Sequence, residues 1–421
     1  MTAAAILFAL TYICLLAMPK QRAKIALCSA AIFVLMGFLS PAKILPAIDF
    51  NVLMMIGGTM GLVSLFIDSG MPARMADLII CKTPDVRWAV TALALFAGII
   101  SAFVDNVATV LMVAPVALAI SKRLGISPVA PIVAIAVSSN LQGAATLVGD
   151  TTSILLGSYA GLDFLDFFWF MGRPGMFWVV EAGALLSILV LLWLFRKDRQ
   201  QVDICKVVKV TDYLPSVLLC CMVLLLICAS FFPYKPDVTN GVICVTLFLI
   251  GAIAKALKEK DADHILRPIR EIDYETILLL AGLFVVIGGI TEAGVVDAIA
   301  QLFVRLGGDN LFIIYTVIVW ASVLFSAFID NIPYVATMLP VVQGISLAMG
   351  VDPYLLYFGL LAGATLGGNL TPIGASANIA AIGILRKNGY EVPTKEFMRI
   401  GVPFSLTAVV SGYIAIWLLW A

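Results

Sequence analysis

Three aspartates stand where a carboxylate is costly. Asp105 in SAFVDN, Asp330 in SAFIDN and Asp150 in VGDTTS lie within long apolar runs, and at the centre of a bilayer a charged Asp costs about 2.5 to 3.5 kcal/mol. Residues kept at that cost usually serve an ion path, with a sodium ion or a proton neutralising the charge. Asp105 and Asp330 each precede an asparagine, Asn106 and Asn331, and the two tips are expected to approach one another. Asp150 has no such mate. Capping the helix that follows is a second role open to Asp105 and Asp330, compatible with the first.

Two polar stretches accompany these carboxylates. Gly143, Thr146, Gly149, Thr151, Thr152 and Ser153 interrupt one apolar segment, with Thr109 just beyond Asp105; Gly368, Asn369, Thr371, Gly374, Ser376 and Asn378 interrupt another. Unpaired backbone in hydrocarbon costs several kcal/mol per group and is tolerated where it lines a cavity. Hydroxyls, amides and bare backbone there predict a substrate site, half-helix N-termini facing anions and carbonyl ends facing cations. Close helix packing is the competing reason for small residues, but it does not call for Asn, Asp and Thr together. No catalytic residue and no metal-ligand set is expected. The single histidine, His264, sits in a charged loop, and Cys14, Cys28, Cys81, Cys205, Cys220, Cys221, Cys228 and Cys244 show no metal spacing and read as apolar filler.

The elements that position these groups must be transmembrane helices. Of 421 residues, 62% are hydrophobic and 12% charged, against about 45–50% and about 25% in soluble domains. This predicts an all-α polytopic membrane protein. Lys and Arg balance Asp and Glu at 26 each, with no basic run that would bind nucleic acid. The apolar stretch from Ala3 to Met18 lacks a basic leader and a cleavage site and reads as a retained helix. Ten crossings are expected, near 3–18, 24–40, 49–67, 127–160, 175–195, 214–232, 239–254, 275–290, 354–384 and 401–420. Segments 88–121 and 311–347 read as re-entrant hairpins with Asp-Asn at the tip, and 127–160 and 354–384 as broken helices. With both termini outside, this topology puts 22 of the 26 Lys and Arg, among them Lys20, Arg22 and Lys24, in cytoplasmic loops.

The sequence also repeats on itself. At an offset of 225, Ser101–Asn106 matches Ser326–Asn331, and Pro115, Gly125, Pro128, Gly143, Thr146 and Gly149 match Pro340, Gly350, Pro353, Gly368, Thr371 and Gly374. At 224 the match reaches back to Asp49 with Asp273 and Gly58 with Gly282. The charge-derived topology makes the copies inverted, the architecture of secondary transporters. The expected division is 1–48, N-terminal scaffold helices; 49–195, first repeat; 196–272, linker helices and loops; and 273–421, second repeat. Stretches 68–87 and 292–309 read as amphipathic surface helices, and Glu181 as a relay or a helix-end carboxylate. There is no phosphate-binding loop, so transport would run on ion gradients.

SAFVDNVAT, SAFIDNIPYVATMLP and LGGNLTPIGASANIAAIGILRKNGY resemble the ion transporter superfamily, which includes arsenite permeases, NhaD-type sodium/proton antiporters, citrate and dicarboxylate carriers and the P protein. The chain most resembles its ArsB/NhaD and P-protein-like branch. The resemblance implies a homodimer in a prokaryotic inner membrane, each protomer with a scaffold and an elevator-like transport domain carrying both hairpins and both broken helices. It implies a secondary transporter or antiporter coupled to H+ or Na+, with no other cofactor. Dicarboxylate carriers bear Ser-Asn-Thr at the tips; here Asp105-Asn106-Val107 and Asp330-Asn331-Ile332 add a negative charge. That favours a cation, a proton or a neutral metalloid over a dicarboxylate. A citrate-type anion carrier is the alternative, with an ion channel and an intramembrane aspartyl protease, suggested by Val148-Gly149-Asp150, further off.

Overall fold

A computed structural model describes residues 1–201, 207–232, 234–259, 263–308 and 310–421. Cys205, Lys206, Lys260 and the side chain of His264 lie outside the described residues. The first half of the chain runs α1 (Thr2–Ala17), α2 (Arg22–Leu35), the short α3 (Ile44–Ala47), α4 (Phe50–Asp68), α5 (Met71–Ile80), α6 (Val86–Ser101), α7 (Asn106–Leu124), α8 (Val129–Gln142), α9 (Thr151–Ala160) and α10 (Met176–Leu194). The second runs α11 (Leu214–Ser230), α12 (Thr239–Glu259), α13 (Asp263–Arg270), α14 (Tyr274–Glu292), α15 (Val295–Gly307), α16 (Leu311–Ser326), α17 (Asn331–Met349), α18 (Tyr354–Gly367), α19 (Ser376–Lys387) and α20 (Thr394–Trp420). A two-residue strand pair, Trp169–Phe170 with Arg173–Pro174, is the sole sheet among the described residues.

The punctuation that ends each helix is duplicated. Asp49 and Asp273 cap α4 and α14 by accepting from Val52 N–H and Thr276 N–H, satisfying amides that have no partner within the helix. Gly70 and Gly294 both turn the chain at φ 72° before α5 and α15. α8 and α18 each end in a single 3-10 turn, Gly143–Ala145 and Gly368–Leu370, followed by an extended threonine, Thr146 or Thr371. Packing is duplicated as well: α4 lies on α12, α14 on α2, and α10 on α20. A Cβ on Gly58 would stand 2.5 Å from the Cys244 carbonyl carbon, and one on Gly282 2.7 Å from that of Ala26. Only glycine lets these backbones approach so closely.

Among the described residues, seven helices are long and apolar enough to cross a membrane: α4, α7, α10, α12, α14, α17 and α20. α1 and α2 meet at 111° and pass together as an eighth. Five of the seven, α4, α10, α12, α14 and α20, are among the ten crossings expected, while α7 and α17 are the second arms of the two expected hairpins. α11, with 17 residues, and the halves of the broken segments, divided by the extended stretches after α8 and α18, are too short to pass singly. Cys81 departs from the filler reading, being disulfide-bonded.

Candidate ion and substrate site

Asp105 and Asp330 sit at the first turns of α7 and α17, and both cap them. Val107 N–H and Ala108 N–H donate to Asp105 Oδ2 at 3.0 and 3.1 Å, and Ile332 N–H donates to Asp330 Oδ1 at 3.3 Å. The rest of their surroundings differ. Arg22 Nη1 donates to Asp330 Oδ2 at 2.7 Å and Ser376 Oγ to the same oxygen at 3.0 Å. Asp330 is 5% exposed, whereas Asp105 is half-buried and forms no ion pair among the described residues.

Asp150 precedes α9, yet its carboxylate does not cap it. Thr152 Oγ1 donates to Asp150 Oδ2 at 2.8 Å and Asn331 Nδ2 to the same atom at 3.3 Å. This carboxylate is 3% exposed and has no cationic partner among the described residues. A buried charge left this way needs a ligand or a proton. Asn331 of the second tip is thereby joined to Asp150 of the first broken helix, whereas no hydrogen bond joins the two tips to each other among the described residues.

The halves also join between the broken helices. Asn106 Nδ2 donates to Asn140 Oδ1 at 2.9 Å. Asn140 Nδ2 donates to the Thr365 carbonyl at 2.7 Å and to Asn369 Oδ1 at 3.1 Å, and Asn369 Nδ2 returns a bond to the Val137 carbonyl. Thr152 and Thr365 hydroxyls are 3.1 Å apart. This fully buried network fixes α8 against α18.

Several residues expected to bind substrate make internal bonds instead of facing a cavity. Thr146 Oγ1 donates to the Ala102 carbonyl and Thr371 Oγ1 to that of Ala327, tying each break to the turn before its hairpin tip. Ser153 Oγ and Asn378 Nδ2 donate to the Gly143 and Gly368 carbonyls, each at 3.1 Å. Thr109, fully buried, donates weakly to the Val104 carbonyl. A Cβ on Gly149 would stand 2.7 to 2.9 Å from the carbonyls of Gly143, Ser101 and Ala102, and one on Gly374 2.6 to 2.8 Å from those of Gly368, Ser326 and Ala327. Both glycines let three carbonyl oxygens converge. Glu181 accepts from Gln142 Nε2 at the end of α8.

A cavity of about 440 Å³ gathers six of the expected residues: Asp105, Asn106, Asp150, Thr151, Asn331 and Ser376. Asp330 stands behind Ser376. The mouth adds Asp68, Glu271 and Asp273, which sequence reasoning missed as site residues because loop carboxylates are ordinarily solvated. Five carboxylates and no lysine or arginine line this space among the described residues. At the other end, a cavity of about 960 Å³ is lined by the opposite ends of α4 and α14 and by Ala336, Leu339 and Pro340 of α17. Its nearest α17 residue to the second tip is Ala336, six residues after Asp330, so the tips open toward one end of the molecule. Asn140 and Arg22 were missed as well. A lone asparagine in an apolar run signalled the first; Arg22 read as one of three loop charges.

The sequence profile of a family described as "Citrate transporter" matches residues 12–363. An uncharacterized transporter of Mycobacterium tuberculosis is 32% identical over 94% of each chain. The P protein of Mus musculus is 28% identical over 87% of this chain and 53% of its own length. Among solved structures, the YdaH transporter of Alcanivorax borkumensis superimposes with a TM-score of 0.63 at 13% identity, covering 94% of this chain and 96% of its own. MtrF of Neisseria gonorrhoeae, described as illuminating a class of antimetabolite efflux pumps, gives 0.56 at 16%, covering 93% and 84%. These two likenesses concern the fold.

Proposed function

Since this chain belongs to the citrate transporter family and is a multi-pass membrane transporter, not an enzyme, we propose that it is a secondary active transporter coupled to Na+ or H+. The cation is held between Asp150, Asn331 and the first tip at Asp105. The observation that carries this reading is the cavity reaching both tips, whose inner carboxylates, Asp105 and Asp150, have no cationic partner among the described residues, while Asp68 and Glu271 at the mouth pair with Lys255 and Arg267. Such a lining concentrates cations and repels anions. Its cargo is a small ion or metalloid, and Thr151, Asn106 and Ser376 offer hydroxyl and amide groups to it.

The mouth at Asp68, Glu271 and Asp273 lies at the end bearing Lys255, Arg267 and Arg270, which the positive-inside rule makes cytoplasmic. The conformation is then inward-open. A scaffold of α1, α2, α4, α11, α12 and α14 holds a transport domain that carries both hairpins and both broken helices, in a homodimer of a bacterial inner membrane. The family description favours a second reading, a citrate-type carrier. An organic anion would enter this cavity only with its charge covered by cations.

The test is reconstitution in liposomes holding a pH dye, with a sodium or lithium pulse. Wild type gives a proton flux that Asp150→Asn abolishes. Absence of flux with every alkali cation would contradict cation/proton exchange and move the weight to metalloid or organic-anion transport.

A further inference from the structure

The ion pair at the second hairpin tip crosses between the two parts of the molecule. Asp330 opens α17 and Arg22 opens α2, which packs on α14. A second tie runs beside it, from the Tyr12 hydroxyl of α1 to the Pro333 carbonyl at 2.6 Å. Arg22 is 19% exposed in its side chain and Asp330 7%, so the pair is largely withdrawn from water.

Its counterpart in the first half is read from packing. Gly58 meets Cys244 and Val245 through the same backbone atoms with which Gly282 meets Ala26 and Leu27. Ala26 thus corresponds to Cys244, and four residues earlier Arg22 corresponds to Asn240. Asn240 is 9% exposed and uncharged. In an inverted-repeat carrier the opposite-facing state arises when the halves exchange conformations. That exchange sets Asp105 against Asn240, and it takes Asp330 off Arg22 into an open cavity.

We propose that Arg22 is the protein's own cation for Asp330, holding the second tip to the scaffold in the state seen here and releasing it in the opposite-facing state. The two states then differ by one ion pair that has no mirror image. Arginine suits the task, since its planar fork stays charged and can hold a carboxylate at low water content. Once released, Asp330 faces the other compartment without a partner, and a mobile cation or proton from that side takes the place of Arg22. The inference rests on the alternating-access reading above.

The test places a reporter, Ala108→Cys, in the first tip, where it lines the cavity. Its labelling by a membrane-impermeant maleimide is followed by peptide mass spectrometry in sealed vesicles, beside flux measured on the same preparations. Arg22→Gln is expected to slow labelling by about tenfold, as loss of a largely buried pair shifts a two-state balance. Arg22→Lys retains the wild-type rate. Asp330→Asn slows labelling in the same direction as Arg22→Gln, and the double variant slows it no further; this decides the matter if Arg22→Gln folds poorly. Wild-type flux with unchanged labelling in both single variants would overturn the proposal and leave the transporter reading intact. Shifted labelling without flux under any alkali cation would support the latch and overturn the coupling ion instead.

Discussion

The two hairpin tips share a sequence, a backbone turn and a capping aspartate, yet their carboxylates meet different partners. At the second tip, Asp330 is closed in by Arg22 and Ser376. At the first, Asp105 is held, among the described residues, by backbone amides alone and lines an acidic cavity. The same divergence recurs at the breaks, where Asp150 and Thr152 stand opposite Ala375 and Ala377 of the second copy. Groups that hold the fold are duplicated: Thr146 and Thr371, Gly149 and Gly374, Ser153 and Asn378 make equivalent contacts. Asp150 and Arg22 are not, since Ala375 and Asn240 stand at the equivalent places. Duplication therefore builds the framework, and the chemistry resides where the copies have parted.

This comparison can be broken most forcefully at Asp150. Asp150→Ala, which gives the first break the residue of the second, should lower transport by about ten- to a hundredfold, the equivalent of about 1.5 to 3 kcal/mol for bonds to a charged group. Initial rates in proteoliposomes measure it, and an active variant would show that the divergence is incidental. Gly149→Ala and Gly374→Ala should each cost about 1 to 3 kcal/mol of stability, because the new methyl collides with three carbonyls. Thermal unfolding in detergent reads both, and the two costs should match; a difference of several degrees would break the equivalence of the copies.

Smaller effects sharpen the comparison at the helix ends. Lys255 pairs with Asp68 at 2.7 Å with side chains 17% and 21% exposed, whereas Lys43 pairs with the equivalent Glu292 at 59% and 35%. Lys255→Gln should cost up to about 1 kcal/mol and Lys43→Gln nothing measurable, as judged by unfolding midpoints. Asp212 has a depressed pKa: partial burial opposes its charge, but the Leu214 N–H, Lys258 and the Tyr213 N–H outweigh it. Its contribution to stability is therefore present at neutral pH and lost as pH falls through the depressed value. Asp212→Asn should flatten the acid limb of the stability profile slightly and leave pH 7 to 9 parallel to wild type.

Much of this was legible in the sequence because membrane folding leaves few options. Apolar length gave the helices, and paired Gly, Pro and Asp at a fixed offset gave the two copies, which the duplicated caps at Asp49 and Asp273 reproduce. The resemblance to the superfamily of citrate carriers and the P protein is borne out by the family match. What escaped was set by tertiary placement. Charge counting treats Arg22 as a solvated loop residue, and only the 111° bend between α1 and α2 with the packing of α2 on α14 brings it to Asp330. Hydropathy does not register where an apolar run becomes extended, as at Thr146 and Thr371, nor that the second arm of each hairpin, α7 or α17, is itself 19 residues long.

The central claim is a cation held at Asp150 beside the first tip. Thermal unfolding of the purified protein, titrated with sodium against an organic cation at constant ionic strength and repeated from pH 8 to 5, addresses it directly. Ligand binding to the native state raises the midpoint in a saturable way. The account predicts a rise with sodium or with protons in wild type that Asp150→Asn removes; an undiminished response in Asp150→Asn would contradict it.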